Sequence, residues 1–228
     1  MNIHLYKEIH NELASKNVTL VAVSKTKSTE EILELYHSGQ RDFGENYVQE
    51  LVDKHKQLPK DIRWHFIGHL QSNKVKQIAP FISLIHSVDS FKLLKEIDKQ
   101  AKKNERIIHC LLQVHIAEEE TKFGFNAKEL EELITQISNA NSINSGSEKT
   151  YKNICIKGLM GMASFTNDME KVKKEFQFLK LLFDTYAASS TLNLQFSVLS
   201  MGMSADYQLA IEEGSNLVRI GSLLFGKR

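Results

Sequence analysis

Cysteine and proline are nearly missing from this sequence, and both absences narrow the field. Two cysteines among 228 residues, Cys110 and Cys155, are too few for a disulfide framework and form no metal-type pair. Two prolines, Pro59 and Pro80, leave no Pro-rich linker to divide the chain. No apolar stretch approaches the roughly 20 residues of a membrane span, and Met1–Lys16 lacks the apolar core of a signal peptide. Charge of one sign is lacking too. Lys+Arg number 29 against 28 Asp+Glu, a formal net charge of +1, so no broad field attracts nucleic acid or anionic lipid. Neither a nucleotide-binding glycine fingerprint nor a P-loop occurs. What is present is an ordinary globular mixture, 42% hydrophobic and 25% charged, which excludes a disordered chain. One folded domain over 1–228 is expected, in the cytoplasm or an equivalent reducing compartment.

A pattern repeats along the chain. Ile3, Tyr6, Ile9 and Leu13 first mark an amphipathic helix over about residues 2–16. Short apolar runs then alternate with polar turns and helices that carry start signals. Val18–Ser24 is the first run, nearly continuous as a strand covered on both faces should be. Ser28 and Glu31 read as a capping box, Ile32, Leu35 and Tyr36 as the buried stripe, and Gly39 as the stop. Further runs are expected at Asp42–Gly44, Trp64–Gly68, Phe81–Val88, Ile107–Ile116, Ile154–Met160, Gln195–Leu199 and Leu217–Ile220. Helix starts are expected at Asn46/Gln49, Asn126/Glu129 and Asn167/Glu170, with Ser204–Glu213 as the last helix between strands. Asn139–Asn153, rich in Ser and Asn, reads as a loop. Strands alternating with helices indicate parallel βαβ units. Eight of them imply an α/β fold, a single-domain (β/α)₈ TIM barrel, whose typical length is about 250 residues. An open doubly wound sheet is the alternative.

In such a barrel, chemistry belongs at the C-terminal ends of the strands. Lys25 directly follows the first run. It is either a lysine snorkelling at a strand end, or a partly desolvated amine whose lowered pKa suits Schiff-base formation. Leu199-Ser200-Met201-Gly202-Met203-Ser204 and Arg219-Ile220-Gly221-Ser222 end the last two runs with glycines and hydroxyls, the composition of a phosphate site. Ser204 reads equally as a helix cap. Arg219 lies within an apolar run, so its guanidinium needs a specific acceptor, either an ion-pair partner or a ligand. His65 and His69 have helical spacing but lie on strand-like sequence, so no metal site is expected. Met160, Met162, Met201 and Met203 read as packing at the barrel top.

These segments, with Val21-Ala22-Val23-Ser24-Lys25-Thr26-Lys27, Phe43-Gly44-Glu45-Asn46-Tyr47-Val48-Gln49-Glu50, His65-Phe66-Ile67-Gly68 and Leu70-Gln71-Ser72-Asn73-Lys74, closely resemble the pyridoxal phosphate homeostasis proteins. That family is related to the N-terminal barrel of alanine racemase, and the resemblance spans essentially the full length. It implies pyridoxal 5′-phosphate (PLP) held as a Schiff base on Lys25. It also implies a phosphate pocket from Ser200, Met201, Gly202, Ser204, Gly221 and Ser222, with Asn46 in the site and Arg219 beside the pyridine nitrogen. Ser222 stands where the family is associated with threonine, and the hydroxyl is retained.

Two functions from different classes follow. The first is intracellular PLP homeostasis, buffering or delivering the cofactor without efficient turnover, as a monomer or weak homodimer, with PLP-dependent apo-enzymes as partners. The second is a PLP-dependent amino-acid enzyme of racemase or decarboxylase type. A lysine-based aldolase without cofactor is a third, weaker alternative. Racemisation needs a group on each face of the cofactor, and the racemase relatives take the second from an additional domain and a partner subunit. The sequence runs to Arg228 with no such domain in it, and Arg219 at the ring nitrogen would disfavour ring protonation. Both favour the non-catalytic reading.

Overall fold

The computed structural model describes residues 2–117, 123–140, 151–188 and 194–226. Eight parallel strands close into a barrel in sequence order: β1 (Thr19–Val23), β2 (Asp42–Glu45), β3 (Arg63–Phe66), β4 (Leu84–Val88), β5 (Ile108–Val114), β6 (Ile154–Gly161), β7 (Leu194–Ser200) and β8 (Leu217–Ile220). Helix α1 (Ile3–Ser15) precedes β1. Between successive strands run α2 (Thr29–His37), α3 (Val48–Gln57), α4 (Val75–Ile78), α5 (Phe91–Lys103), α6 (Ala127–Ala140), α7 (Met169–Ala187) and α8 (Tyr207–Glu212), and α9 (Ser222–Phe225) follows β8. Closure is direct, with Leu20 of β1 opposite Val218 of β8 and Val21 opposite Arg219. The open sheet is excluded.

Period-2 alternation sorts side chains between two cores. Outward-facing Phe43, Trp64 and Phe66 pack with the inner stripes of the helices, among them Leu13, Leu35 and Leu51. Burying each such side chain contributes roughly 1.5–3 kcal/mol. A second cluster of Val21, Leu84, Leu111, Met160 and Leu217 occupies the barrel interior.

Local start signals decide some helices and not others. Ser28 Oγ accepts from the Glu31 N–H while Glu31 Oε2 accepts from the Ser28 N–H, a closed capping box. Asn126 and Glu129 do the same at 2.9 Å each way. Asn46 does not cap α3. Tyr47 holds that position without a side-chain bond, and Asn46 lines a cavity instead. Helix α7 is capped by Asp168, not Asn167, through a 3.1 Å bond from the Lys171 N–H. Helix α8 begins at Tyr207, because Asp206 Oδ1 accepts from the Met203 N–H at 2.6 Å and folds Met203–Asp206 into a turn. Strand β4 is shorter than expected, since Phe81 and Ile82 donate to the Ile78 carbonyl and end α4. Of the expected loop Asn139–Asn153, residues up to Ala140 belong to α6 and 141–150 lie outside the described residues. Met160 and Met201 are buried, whereas Met203 is 37% exposed, so it does not pack the barrel top as expected.

Candidate functional site

The C-terminal ends of β1, β2, β6, β7 and β8 open onto one cavity of about 880 Å³, a size typical of small-molecule sites. Lys25, Asn46, Ser204, Arg219, Gly221 and Ser222 all line it. The fold thus gathers a lysine from the start of the chain with hydroxyls and an arginine from its end.

Lys25 is half-buried in a tight turn just past β1. Thr26 takes a left-handed backbone, φ 65°, a costly conformation for a β-branched residue. A buried ionic cluster holds the turn. Lys54 Nζ on α3 donates to the Ser24 carbonyl at 2.7 Å, to Glu45 Oε1 at 2.8 Å and to Glu50 Oε1 at 2.7 Å. Glu50 Oε1 also accepts from the Thr26 N–H at 2.5 Å, and Ser24 Oγ donates to Glu45 Oε1 at 2.6 Å. Both residues flanking Lys25 are therefore clamped. Burial pushes the Glu45 carboxyl up to about 6, although Lys54 and the Ser24 hydroxyl pull it down. The sequence shows Lys54 only as an i,i+4 partner of Glu50, which looks like a surface pair.

At the opposite wall, Gly202 takes φ +93°, and a Cβ there would lie 2.6 Å from Ala210 Cβ. Only glycine turns the chain here without displacing α8. The Gly202 carbonyl accepts from the Arg219 N–H at 3.0 Å. Ser204 does not cap a helix. Its Oγ accepts from the Gly221 N–H at 3.3 Å, tying the 203–206 turn to the start of α9 beside Ser222. Three residues expected in the pocket lie beneath it. Ser200 and Met201 are fully buried, and with Gly202 they are not among the lining residues.

Arg219 stands on the cavity wall. It is buried, yet its hydrogen bonds go to neutral acceptors: Nη1 donates to the Ser200 carbonyl at 3.0 Å and to Ser200 Oγ at 2.5 Å, and Nη2 to the Gly161 carbonyl at 3.0 Å. Burial lowers its pKa to about 10, so at neutral pH it stays charged. None of these bonds goes to a carboxylate, but the Asp206 carboxylate lines the same cavity and opposes the effect of burial on the guanidinium. His65 and His69 do not converge on a metal. His65 Nδ1 meets His86 Nε2 at 2.9 Å inside the barrel, whereas His69 pairs with Asp89 and stacks on Phe123. Among the described residues, no group of three His, Cys, Asp or Glu is placed to hold a metal ion. No helix among them is long and apolar enough to cross a membrane.

Whether PLP suits this cavity is decided by its donors. Hydroxyls of Ser204 and Ser222 flank Gly221, where an added Cβ would crowd Val23 at 3.2 Å, and both serines line the cavity. Asn46 lines the cavity, and its buried Oδ1 has no hydrogen-bond partner among the described residues. Gly68 is required for this placement, because a Cβ there would lie 2.4 Å from the Asn46 carbonyl. An amine, a fixed cation and a pair of hydroxyls match an aldehyde, a pyridine ring and a phosphate ester. The residues fit.

Comparison with known proteins agrees. The family model for the alanine racemase N-terminal domain matches residues 3–228. A protein of Aquifex aeolicus named pyridoxal phosphate homeostasis protein is 40% identical over 212 residues, 92% of this chain and 86% of that protein. One of the same name from Schizosaccharomyces pombe is 37% identical over 224 residues, 97% of this chain and 89% of that protein. The structure of PipY from Synechococcus elongatus without PLP superposes with a TM-score of 0.88 at 32% identity, covering 99% of this chain and 100% of PipY. PipY with PLP bound gives 0.82 at 33% identity, covering 96% and 99%. Alanine racemase of Clostridium difficile, at 14% identity and a TM-score of 0.74 over 98% of this chain and 56% of that one, shares the fold. The fold, the arrangement of the cavity and the full-length similarity lead to one conclusion: this chain belongs to the alanine racemase N-terminal domain family, among the pyridoxal phosphate homeostasis proteins.

Proposed function

We propose that this chain binds PLP in the cavity at the barrel mouth, covalently on Lys25, and serves its intracellular homeostasis by storing the cofactor and handing it to PLP-dependent apo-enzymes. The observation that carries this reading is the convergence of Lys25, Asn46, Arg219, Ser204 and Ser222 on one cavity. The relatives' names and the PLP in PipY support it. The free thiols of Cys110 and Cys155 fit a reducing cytoplasm.

Bound PLP offers a reactive aldehyde and an electron-withdrawing ring. The Lys25 amine would hold the aldehyde carbon, its backbone fixed from both sides by Lys54 and Glu50. Ser204 and Ser222 would donate to the phosphate, and Arg219 would serve the ring nitrogen. A fixed cation there opposes protonation of that nitrogen, and an unprotonated ring is the weaker electron sink. This favours retention over turnover.

The phosphate contacts supply the test. Hydrogen bonds to a charged acceptor contribute about 1.5–3 kcal/mol each. Ser204→Ala or Ser222→Ala is therefore expected to weaken PLP binding by roughly ten- to a hundredfold in equilibrium titration. Pyridoxal, which has no phosphate, is expected to bind wild type and both variants with similar weakness. A wild type that binds pyridoxal and PLP equally well would sink the assignment.

A further inference from the structure

The interior of a closed parallel barrel is ordinarily filled by branched apolar side chains, and one part of this interior is, by the cluster around Val21 and Leu111. The other part is crossed by a row of polar groups. Asp42 of β2, at the N-terminal end of the barrel, meets His65 Nε2 at 3.0 Å. His65 Nδ1 meets His86 Nε2 at 2.9 Å, His86 Nδ1 meets Ser200 Oγ at 3.2 Å, and Ser200 Oγ accepts from Arg219 Nη1 at 2.5 Å. The row joins one end of the barrel to the cavity at the other. His86 and Ser200 are fully buried, and His65 and Arg219 are 5% and 4% exposed. Polar groups so placed are costly unless each finds a partner.

The guanidinium gives the row one fixed end, because it can only donate. Ser200 Oγ therefore accepts from Arg219, and its own proton can go to His86 Nδ1 beside it, the direction taken here. With Nδ1 accepting, neutral His86 carries its proton on Nε2 and donates to His65 Nδ1. His65 then carries its proton on Nε2 and donates to Asp42. Burial and the neighbouring Arg219 charge keep His86 neutral, its pKa well below the usual histidine value. Asp42 ends the row as a carboxylate. Burial raises its pKa, but bonds from Arg63 and His65 outweigh this and bring it down to about 2. Every bond points from the guanidinium toward the carboxylate, and each dipole favours the next.

We propose that Ser200, His86 and His65 are positioning residues for Arg219: together with the Asp42 carboxylate they form a one-way hydrogen-bonded chain that fixes the guanidinium at the cavity. Nη1 bonds Ser200 and Nη2 bonds Gly161, which holds the guanidinium in one orientation. The role rests on the reading above, in which Arg219 serves the ring nitrogen of PLP. It assigns Ser200 a task other than phosphate binding and gives His65 and His86 a use without metal.

Two measurements test it. The first uses the full chain without ligand. Nitrogen-15 NMR of the imidazoles at neutral pH is expected to show His65 and His86 both protonated on Nε2 and bare on Nδ1. Ser200→Ala is expected to release His86 from that form, and Ser200→Thr to retain it. A proton on Nδ1 of His86 in the wild type overturns the chain, and this observation needs no variant to fold. The second compares PLP with its analogue bearing carbon in place of the ring nitrogen. Ser200→Ala is expected to weaken PLP binding about tenfold, the scale of one bond to a charged group, and to shift the visible band. Binding of the analogue should be unaffected, and Ser200→Thr should restore PLP. Equal loss for both ligands, or no loss for either, overturns the positioning role. A wild type that takes up neither ligand overturns the PLP reading and the role given to Arg219 with it, while the NMR result still decides the direction of the chain.

Discussion

Lys25→Ala is expected to lose the visible absorption band of the PLP-loaded protein and to retain at most about a hundredth of the bound cofactor after desalting, the scale of some 2.8 kcal/mol. The Lys25 amine is the group at the cavity wall able to bond an aldehyde reversibly, and a half-buried strand-end side chain contributes little to the fold. Thermal unfolding of the ligand-free variant should therefore stay within about 0.5 kcal/mol of wild type. Borohydride reduction of the loaded wild type followed by peptide mapping should place the label on Lys25. A label mainly on Lys27 or Lys74 contradicts the assignment.

Lys54→Met is expected to have the largest effect on stability. Lys54 is buried, and its ammonium is shared among Glu45, Glu50 and the Ser24 carbonyl. Removing one partner of a buried pair costs about 3–5 kcal/mol because the other charge is left uncompensated. The penalty should depend on pH. Glu45 already has a raised pKa of about 6, and the variant raises it further. Between the unfolded carboxyl pKa of about 4.3 and the folded one, the native state holds the proton more tightly, so stability falls as pH rises through that window. Chemical denaturation should thus show a smaller deficit at pH 4 than at pH 8. PLP retention should fall as well, since Ser24 and Thr26 lose their clamp. A pH-independent loss below about 1 kcal/mol would remove Lys54 from this role, because exposed pairs contribute no more than that.

The barrel is legible in the sequence because its determinants are local. Apolar runs such as Leu20–Ala22, buried throughout, read as strands covered on both faces, and the capping boxes at Ser28 and Asn126 close within four residues. Errors arose where tertiary contacts outbid a local signal. Asn46 has the composition of a cap, but the close approach of Gly68 places it at the cavity. Ser204 Oγ likewise accepts from the Gly221 N–H instead of from a helix N-terminus. Lys25, Arg219 and Ser222 were legible from position at strand ends. The Asp42–His65–His86–Ser200 row was not, because each member sits on a different strand and only barrel closure brings them together. Lys54 was hidden for a related reason: spacing pairs it with Glu50, while Glu45 and the Ser24 carbonyl reach it only through packing of α3 on β1 and β2.

The central claim is that PLP is held and released without being used. Its most direct test loads the full chain with PLP, supplies a panel of common amino acids, and follows product together with reactivation of a PLP-requiring apo-enzyme. The account predicts at most one equivalent of amino acid engaged per protein, no sustained product, and recovery of the apo-enzyme's activity. Steady racemisation or decarboxylation at an ordinary enzymatic rate of about 1–1000 per second, or failure to reactivate the apo-enzyme, would contradict it.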